Sequence, residues 1–182
     1  MTSGMEREHR LSSEPVFDGK IVRLRVDTVR LPGGRTAVRE VVEHGAAVVV
    51  VPVDAEGNVV LVRQFRYPVG ETLLEALAGM VEDSETPEEC AQRELREEIG
   101  CAAGDLQPLG EFWTGPGFCT ELMHAFLAKG LAASSLPADE DEQIQVERLP
   151  VSRVPELIRS GGIRDAKTIA SLLMAICLYE VA

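Results

Sequence analysis

The chain has 182 residues, close to one domain at about 150 residues each, and a length that can bury roughly 70% of its unfolded surface. Its 45% hydrophobic and 26% charged fractions are those of a globular protein, which excludes disorder, collagen and coiled coil as descriptions of the whole. Eighteen Lys and Arg against 30 Asp and Glu give a formal charge of −12. That balance argues against nucleic acid as a partner, yet it leaves room for a small anionic substrate where a divalent cation inverts the local field.

No apolar run approaches the length of a membrane span, and the longest, residues 46–53, reads as a buried strand. Residues 1–13 are charged, lack an apolar stretch and read as a loose tail, so a soluble, cytoplasmic protein with no signal peptide is expected. Cys90, Cys101, Cys119 and Cys177 have neither CxxC spacing nor a neighbouring histidine pair, which fits reduced thiols.

From Lys20 onward Val22, Leu24 and Val26 alternate with Arg23, Arg25 and Asp27, a strand pattern. Pro32-Gly33-Gly34 marks a turn, and residues 35–43 read as the returning strand. A second hairpin is expected from residues 46–53 and 58–65 around Asp54-Ala55-Glu56-Gly57, so that four strands precede the first helix. That helix has well-marked ends: Thr86 as N-cap, Pro87 in the first turn, Glu89 closing a capping box, and Gly100 after the last periodic residue. It is expected over residues 87–99. Strand-like pieces follow at 107–113 and 123–127, then an acidic loop at 137–143 and a strand at 144–149. Two helices, at 154–159 and from about Asp165, close the chain. The mixture, without strict βαβ alternation, is that of an α+β fold.

Placing Glu94 at zero on a helical wheel puts Glu97 at about −60° and Glu98 at about +40°, with Ala91, Leu95 and Ile99 at about +60° to +140°. Three carboxylates thus lie beside a core-facing stripe. On spacing alone two readings stay open. One is a solvated acidic face, because like-charge pairs cost only about 0.2–0.5 kcal/mol each. The other is a set of hard oxygen donors for Mg2+ or Mn2+, shared with a phosphate substrate.

Residues 79–101 resemble the Nudix box, G-x5-E-x7-R-E-U-x-E-E-x-G-U with U aliphatic. Gly79, Glu85, Arg93, Glu94, Leu95, Glu97, Glu98 and Gly100 fall on its positions, and Cys101 stands in the last aliphatic slot. At about 7% per position, seven fixed residues coincide by chance on the order of 10⁻⁸ per starting point. The resemblance implies an α/β/α sandwich with a mixed sheet, here preceded by an antiparallel β-hairpin. One domain is expected over 14–182, with 14–44 as a hairpin subregion suited to dimerisation. It also implies hydrolysis of a diphosphate linked to another moiety, with Mg2+ or Mn2+ as cofactor. Glu94 and Glu98 match the family's main metal ligands, and Glu97 matches a third carboxylate serving the metal or the water. Arg93 is expected to orient the glutamates by salt bridging, and Glu85 to complete the site.

Features outside the box resemble the ADP-ribose pyrophosphatase branch. They are Arg39-Glu40 leading into an apolar strand, Gln64-Phe65-Arg66, Glu75 with Ala78-Gly79 (Leu77 replacing the usual proline), Pro116 beyond the box, and Asp165-Ala166-Lys167-Thr168 opening the last helix. The resemblance implies that Ala78 lends its carbonyl to a metal and that Arg66 binds a phosphate. Arg39 and Glu40 approach the adenosine portion from a partner subunit of a homodimer, and Pro116, near the position of the proline that marks this branch, is a substrate-binding residue. Glu142, or failing it Glu140, assists the attacking water. Phe17 and Trp113 are either adenine-stacking groups or core residues, and His9, His44 and His124 have no metal spacing. The implied reaction takes ADP-ribose to AMP and ribose 5-phosphate. The alternatives are another nucleoside diphosphate sugar and a non-catalytic ADP-ribose-sensing regulator, the latter disfavoured by the complete glutamate set.

Overall fold

The computed structural model describes residues 6–137 and 143–179. The chain forms two compact units, Met1–Gly45 with Trp113–Glu121, and Ala46–Phe112 with Leu122–Ala182.

The first unit is an antiparallel sheet of β1 (His9–Asp18), β2 (Arg23–Arg30) and β3 (Thr36–Glu43), in that order. The expected hairpin is β2–β3, in register from Arg23↔Glu43 to Arg30↔Thr36. Gly33 and Gly34 turn it at φ 85° and 89°, a conformation that costs glycine nothing. β1 corrects the reading of residues 1–13 as a loose tail, since His9–Ser13 pair with β2 from Arg30 to Asp27. Every residue of β1 is exposed, so burial imposes no apolar alternation and the pairing leaves no mark in the pattern. The register shifts between Pro15 and Phe17, beside a residue that has no N–H to give the ladder.

The second unit holds two sheets. One is mixed, in the order β7 (Leu77–Met80), β4 (Ala47–Pro52), β9 (Leu122–Ala133), β8 (Cys101–Trp113), with β4 and β9 parallel. The other is antiparallel, in the order β10 (Ile144–Pro150), β5 (Asn58–Arg66), β6 (Glu71–Glu75). The helices are α1 (Pro87–Glu98), α2 (Val154–Ser160) and α3 (Ala166–Tyr179). All six residues of β4 are buried. Because successive side chains of a strand point to opposite faces, Val48 and Val50 pack with Cys90, Ala91 and Leu95 of α1. Ala47, Val49 and Val51 pack with Leu172 and Ala175 of α3. A helix therefore covers each face of β4, the α/β/α sandwich that the box implies. Each fully buried Val or Leu contributes about 1.5–3 kcal/mol.

The second expected hairpin does not form. The turn is present, with Asp54 Oδ1 accepting from the backbone N–H of Glu56 and Asn58, but among the described residues β4 and β5 are not paired, and the bridge Val53↔Val59 lies just past the end of β4. Both strands are buried Val-rich runs whose edges are taken by other partners: β7 and β9 for β4, β10 and β6 for β5. Among the described residues seven strands, not four, precede α1, because β1 and the short β6 and β7 carry no alternation of their own.

α1 matches its expected start. Glu89 N–H donates to Thr86 Oγ1 at 3.2 Å and Thr86 N–H to Glu89 Oε2 at 2.8 Å, completing the capping box. Ile99 is the C-cap, one residue earlier than expected, and Gly100 follows at φ 67°. β8 and β9 run well beyond the pieces expected at 107–113 and 123–127. No helix among the described residues is long and apolar enough to cross a membrane.

Candidate active site

Glu94 and Glu97 of α1 are organised by one arginine, and Glu94 by one glycine as well. A Cβ on Gly79 would lie 1.7 Å from Glu94 Oε1, so only glycine at this point of β7 lets the buried Glu94 carboxylate approach the strand. Ala78 precedes it, paired with Val49 of β4. Arg93 then gathers three carboxylates. Its Nε and Nη2 donate to the two oxygens of Glu85 at 3.2 and 2.7 Å, a bidentate pair. Its Nη1 donates to Glu94 Oε1 at 2.6 Å and Glu97 Oε2 at 2.9 Å, and Nη2 also reaches the Met80 carbonyl at 3.0 Å. The hydrogen bond from Arg93 pulls the Glu85 carboxyl down to about 2, against the opposing effect of burial. The same bond, ahead of the field of Glu94, raises Arg93 above its ordinary value. Burial pushes the Cys90 thiol up, so Cys90 is a packing residue beneath this network.

The donor set suits a hard divalent cation: Glu94, Glu97 and Glu98 offer carboxylate oxygens from one helix, and Glu94 is seated against Gly79 of β7. Among the described residues no three acidic, thiol or imidazole groups already stand in metal-binding geometry, because Glu94 and Glu97 are both turned onto Arg93.

A second constellation joins β5 and β6 to the start of α3. Glu75, the last residue of β6, is 1% exposed. It accepts from Nε and Nη2 of Arg66 at 3.0 Å each and from Lys167 Nζ of α3. Lys167 also pairs with Asp165 at 2.9 Å. Asp165 accepts from Thr168 N–H at 2.9 Å, and Thr168 Oγ1 accepts from Ala76 N–H at 2.9 Å. Sequence reading noted Arg66, Glu75 and the segment from Asp165 to Thr168 separately. Their convergence leaves no periodic signal in the sequence, since the contacts between them span 92 residues.

In the first unit Arg39, Glu40 and Pro116 line one cleft of about 300 Å3 together with Phe118 and Thr120. Glu8 lines it too and holds Arg39 through both carboxylate oxygens, at 2.6 and 3.0 Å. Phe17 and Trp113 are exposed, not core residues. His44 and His124 are satisfied locally: Nδ1 of His44 lies 2.9 Å from the Gly45 carbonyl, and that of His124 lies 3.0 Å from Glu111. Glu142 and Glu140 lie outside the described residues. A larger cleft of about 900 Å3, formed by the β4–β5 turn with Lys129 and Arg148, contains none of the glutamates of α1. Volume does not mark the site here.

Comparison with known proteins agrees with this geometry. The NUDIX domain model matches residues 36–172, and the nucleoside diphosphate sugar hydrolase N-terminal domain model matches residues 8–42. An ADP-ribose pyrophosphatase of Bacillus subtilis (strain 168) is 40% identical over 163 residues, 88% of each chain. A methanol dehydrogenase activator of Bacillus methanolicus is 37% identical over 167 residues, 91% of this chain and 90% of the other. A solved structure described as an ADP compounds hydrolase superposes with a TM-score of 0.89 at 22% identity, covering 98% of this chain and 97% of that one, and so shares the fold. With the box residues gathered around Arg93 and the domain match spanning most of the chain, the protein belongs to the Nudix family.

Proposed function

We propose that this chain hydrolyses the diphosphate bridge of ADP-ribose, releasing AMP and ribose 5-phosphate, with Mg2+ or Mn2+ as cofactor. The observation that carries the reading is the seating of Glu94 over Gly79, with Glu85 and Glu97 gathered on the same arginine. It stands in a chain 40% identical to an ADP-ribose pyrophosphatase over 88% of both lengths. In the reaction, oxygen from water bonds to one phosphorus while the bridging oxygen leaves with the other phosphate.

Glu94, Glu97 and Glu98, with the Ala78 carbonyl, would hold the divalent cation, which supplies charge neutralisation on the diphosphate and activation of water. Arg93 holds Glu94 and Glu97 ready without touching substrate. Arg66 takes a phosphate oxygen. Glu142 is the group assigned to orienting the water and accepting its proton. Arg39, Glu40 and Pro116 receive the adenosine end in the cleft they share.

The protein acts in the cytoplasm as a homodimer, with no nucleic acid or membrane partner. Val16, Phe17, Ile21 and Val38 of the first unit are exposed apolar residues that a second copy would cover.

The complete carboxylate set favours catalysis over a purely sensing role. The test is a panel of ADP-ribose, a UDP-sugar and a GDP-sugar with Mg2+ or Mn2+, read by product identity. AMP with ribose 5-phosphate as the fastest products supports the reading. A faster nucleoside diphosphate sugar, or binding without turnover, overturns it.

A further inference from the structure

Glu75 is buried almost completely, and it is shared by two cations from different elements, Arg66 of β5 and Lys167 of α3. Removing a carboxylate from water costs several kcal/mol unless its charge is paired and its oxygens are hydrogen-bonded. Here both oxygens are engaged. Oε1 accepts from Arg66 Nε, and Oε2 accepts from both Arg66 Nη2 and Lys167 Nζ. Apolar residues of similar volume would fill the same space at no such cost, so this arrangement calls for a role besides packing.

Its geometry shows one. Glu75 occupies one edge of the Arg66 guanidinium, Nε with Nη2, while the Arg66 side chain keeps 36% of its surface exposed. A bidentate carboxylate fixes the plane of a guanidinium as well as its position. Lys167, in the first turn of α3, holds Glu75 in turn and is itself paired with Asp165 just before the helix. The same turn pins the next residue of the chain, through Thr168 Oγ1 and Ala76 N–H. That pinned link leads through Leu77 directly into Ala78 and Gly79, where Glu94 is seated.

We infer that Glu75, backed by Lys167, is a positioning residue that sets the Arg66 guanidinium for a phosphate of the nucleoside diphosphate. This rests on the phosphate-binding role proposed above for Arg66. The network acts through Arg66 and touches neither substrate nor cation itself.

The experiment compares wild type with Glu75→Gln, Arg66→Ala and the double variant. Each is read by the affinity of the metal-free protein for ADP in calorimetry, and by KM and kcat for the substrate that wild type turns over fastest. Loss of a charge-assisted bond of this kind corresponds to about 10-fold or more in affinity. Glu75→Gln is therefore expected to weaken ADP binding and raise KM by about that factor, with kcat within about 3-fold of wild type. In the Arg66→Ala background it should add nothing further, because its effect passes through Arg66.

Where Glu75→Gln fails to fold, the Glu75→Gln, Lys167→Met chain removes one charge of each sign and carries the same comparison. Unchanged ADP affinity and KM in a folded Glu75 variant would overturn the inference, as would effects that multiply in the double variant. An Arg66→Ala chain that binds ADP like wild type overturns the role of Arg66 and the inference with it. Non-additivity on a preferred substrate other than ADP-ribose supports the inference while overturning the substrate.

Discussion

Glu85 and Arg93 form a bidentate ion pair between the segment that leads into α1 and the middle of that helix, at 2.7 and 3.2 Å. The guanidinium that closes this pair also carries Glu94 and Glu97, so one cation sets these three carboxylates of the box in place. Because the pair depresses the Glu85 carboxyl to about 2, its stabilisation is fully present above the ordinary value of 4.5 and is lost as pH falls through about 2. Glu85→Gln should lower stability near neutral pH by about 1–3 kcal/mol. The gap to wild type should close as pH falls from about 5 towards 2. Urea midpoints at several pH values check this, and a gap independent of pH would contradict it.

Gly79→Ala places a methyl group in the position of the Glu94 carboxylate. The end of the Glu94 side chain can swing aside, so the variant should keep most of its stability, with a disproportionate loss of kcat because Glu94 is the group displaced. Thermal melting and steady-state kinetics together check this. A variant with normal kcat would show that the position of Glu94 is not critical.

Much of this was legible in the sequence, for reasons that differ from element to element. Thr86, Pro87, Glu89 and Gly100 delimit α1 because caps act locally, and the structure moves its end by only one residue. Gly33 and Gly34 mark the β2–β3 turn in the same way. Pairing between distant strands was not legible. The turn at Asp54 is real, yet periodicity reports which faces are buried and not which strand lies alongside, so β4 and β5 were expected as neighbours. β1 escaped because exposed strands have no reason to alternate. At the site, the box carboxylates could be placed from helical spacing, whereas the Arg66–Glu75–Lys167 network depends on β5, β6 and α3 meeting in space.

Glu142→Gln should lower kcat by about 10²–10⁴-fold with little change in KM, if this glutamate handles the proton of the attacking water. Glu140→Gln is the control for the position of the loop. An impaired Glu140 variant beside an active Glu142 variant would reassign the role, and two active variants would return it to α1.

Sites shared between subunits would be revealed by complementation. An inactive Glu98→Gln chain mixed with an inactive Arg39→Ala, Glu40→Ala chain should regain activity after subunit exchange, since one site of each mixed dimer receives only unaltered residues. A monomer by light scattering, or no rescue despite proven exchange, would contradict the shared site.

The most direct test of the central claim is hydrolysis of ADP-ribose at saturating Mg2+ by Glu94→Gln and Glu98→Gln, with melting of the metal-free proteins alongside. Glutamine keeps size and helix propensity but removes anionic oxygen from a hard cation. Glu94→Gln also gives up an ion pair with Arg93 at 2.6 Å, so a modest fall in its melting temperature is expected. Both variants should remain folded and lose at least about 100-fold in turnover. Near-normal hydrolysis by both would contradict the assignment of these glutamates to the catalytic metal.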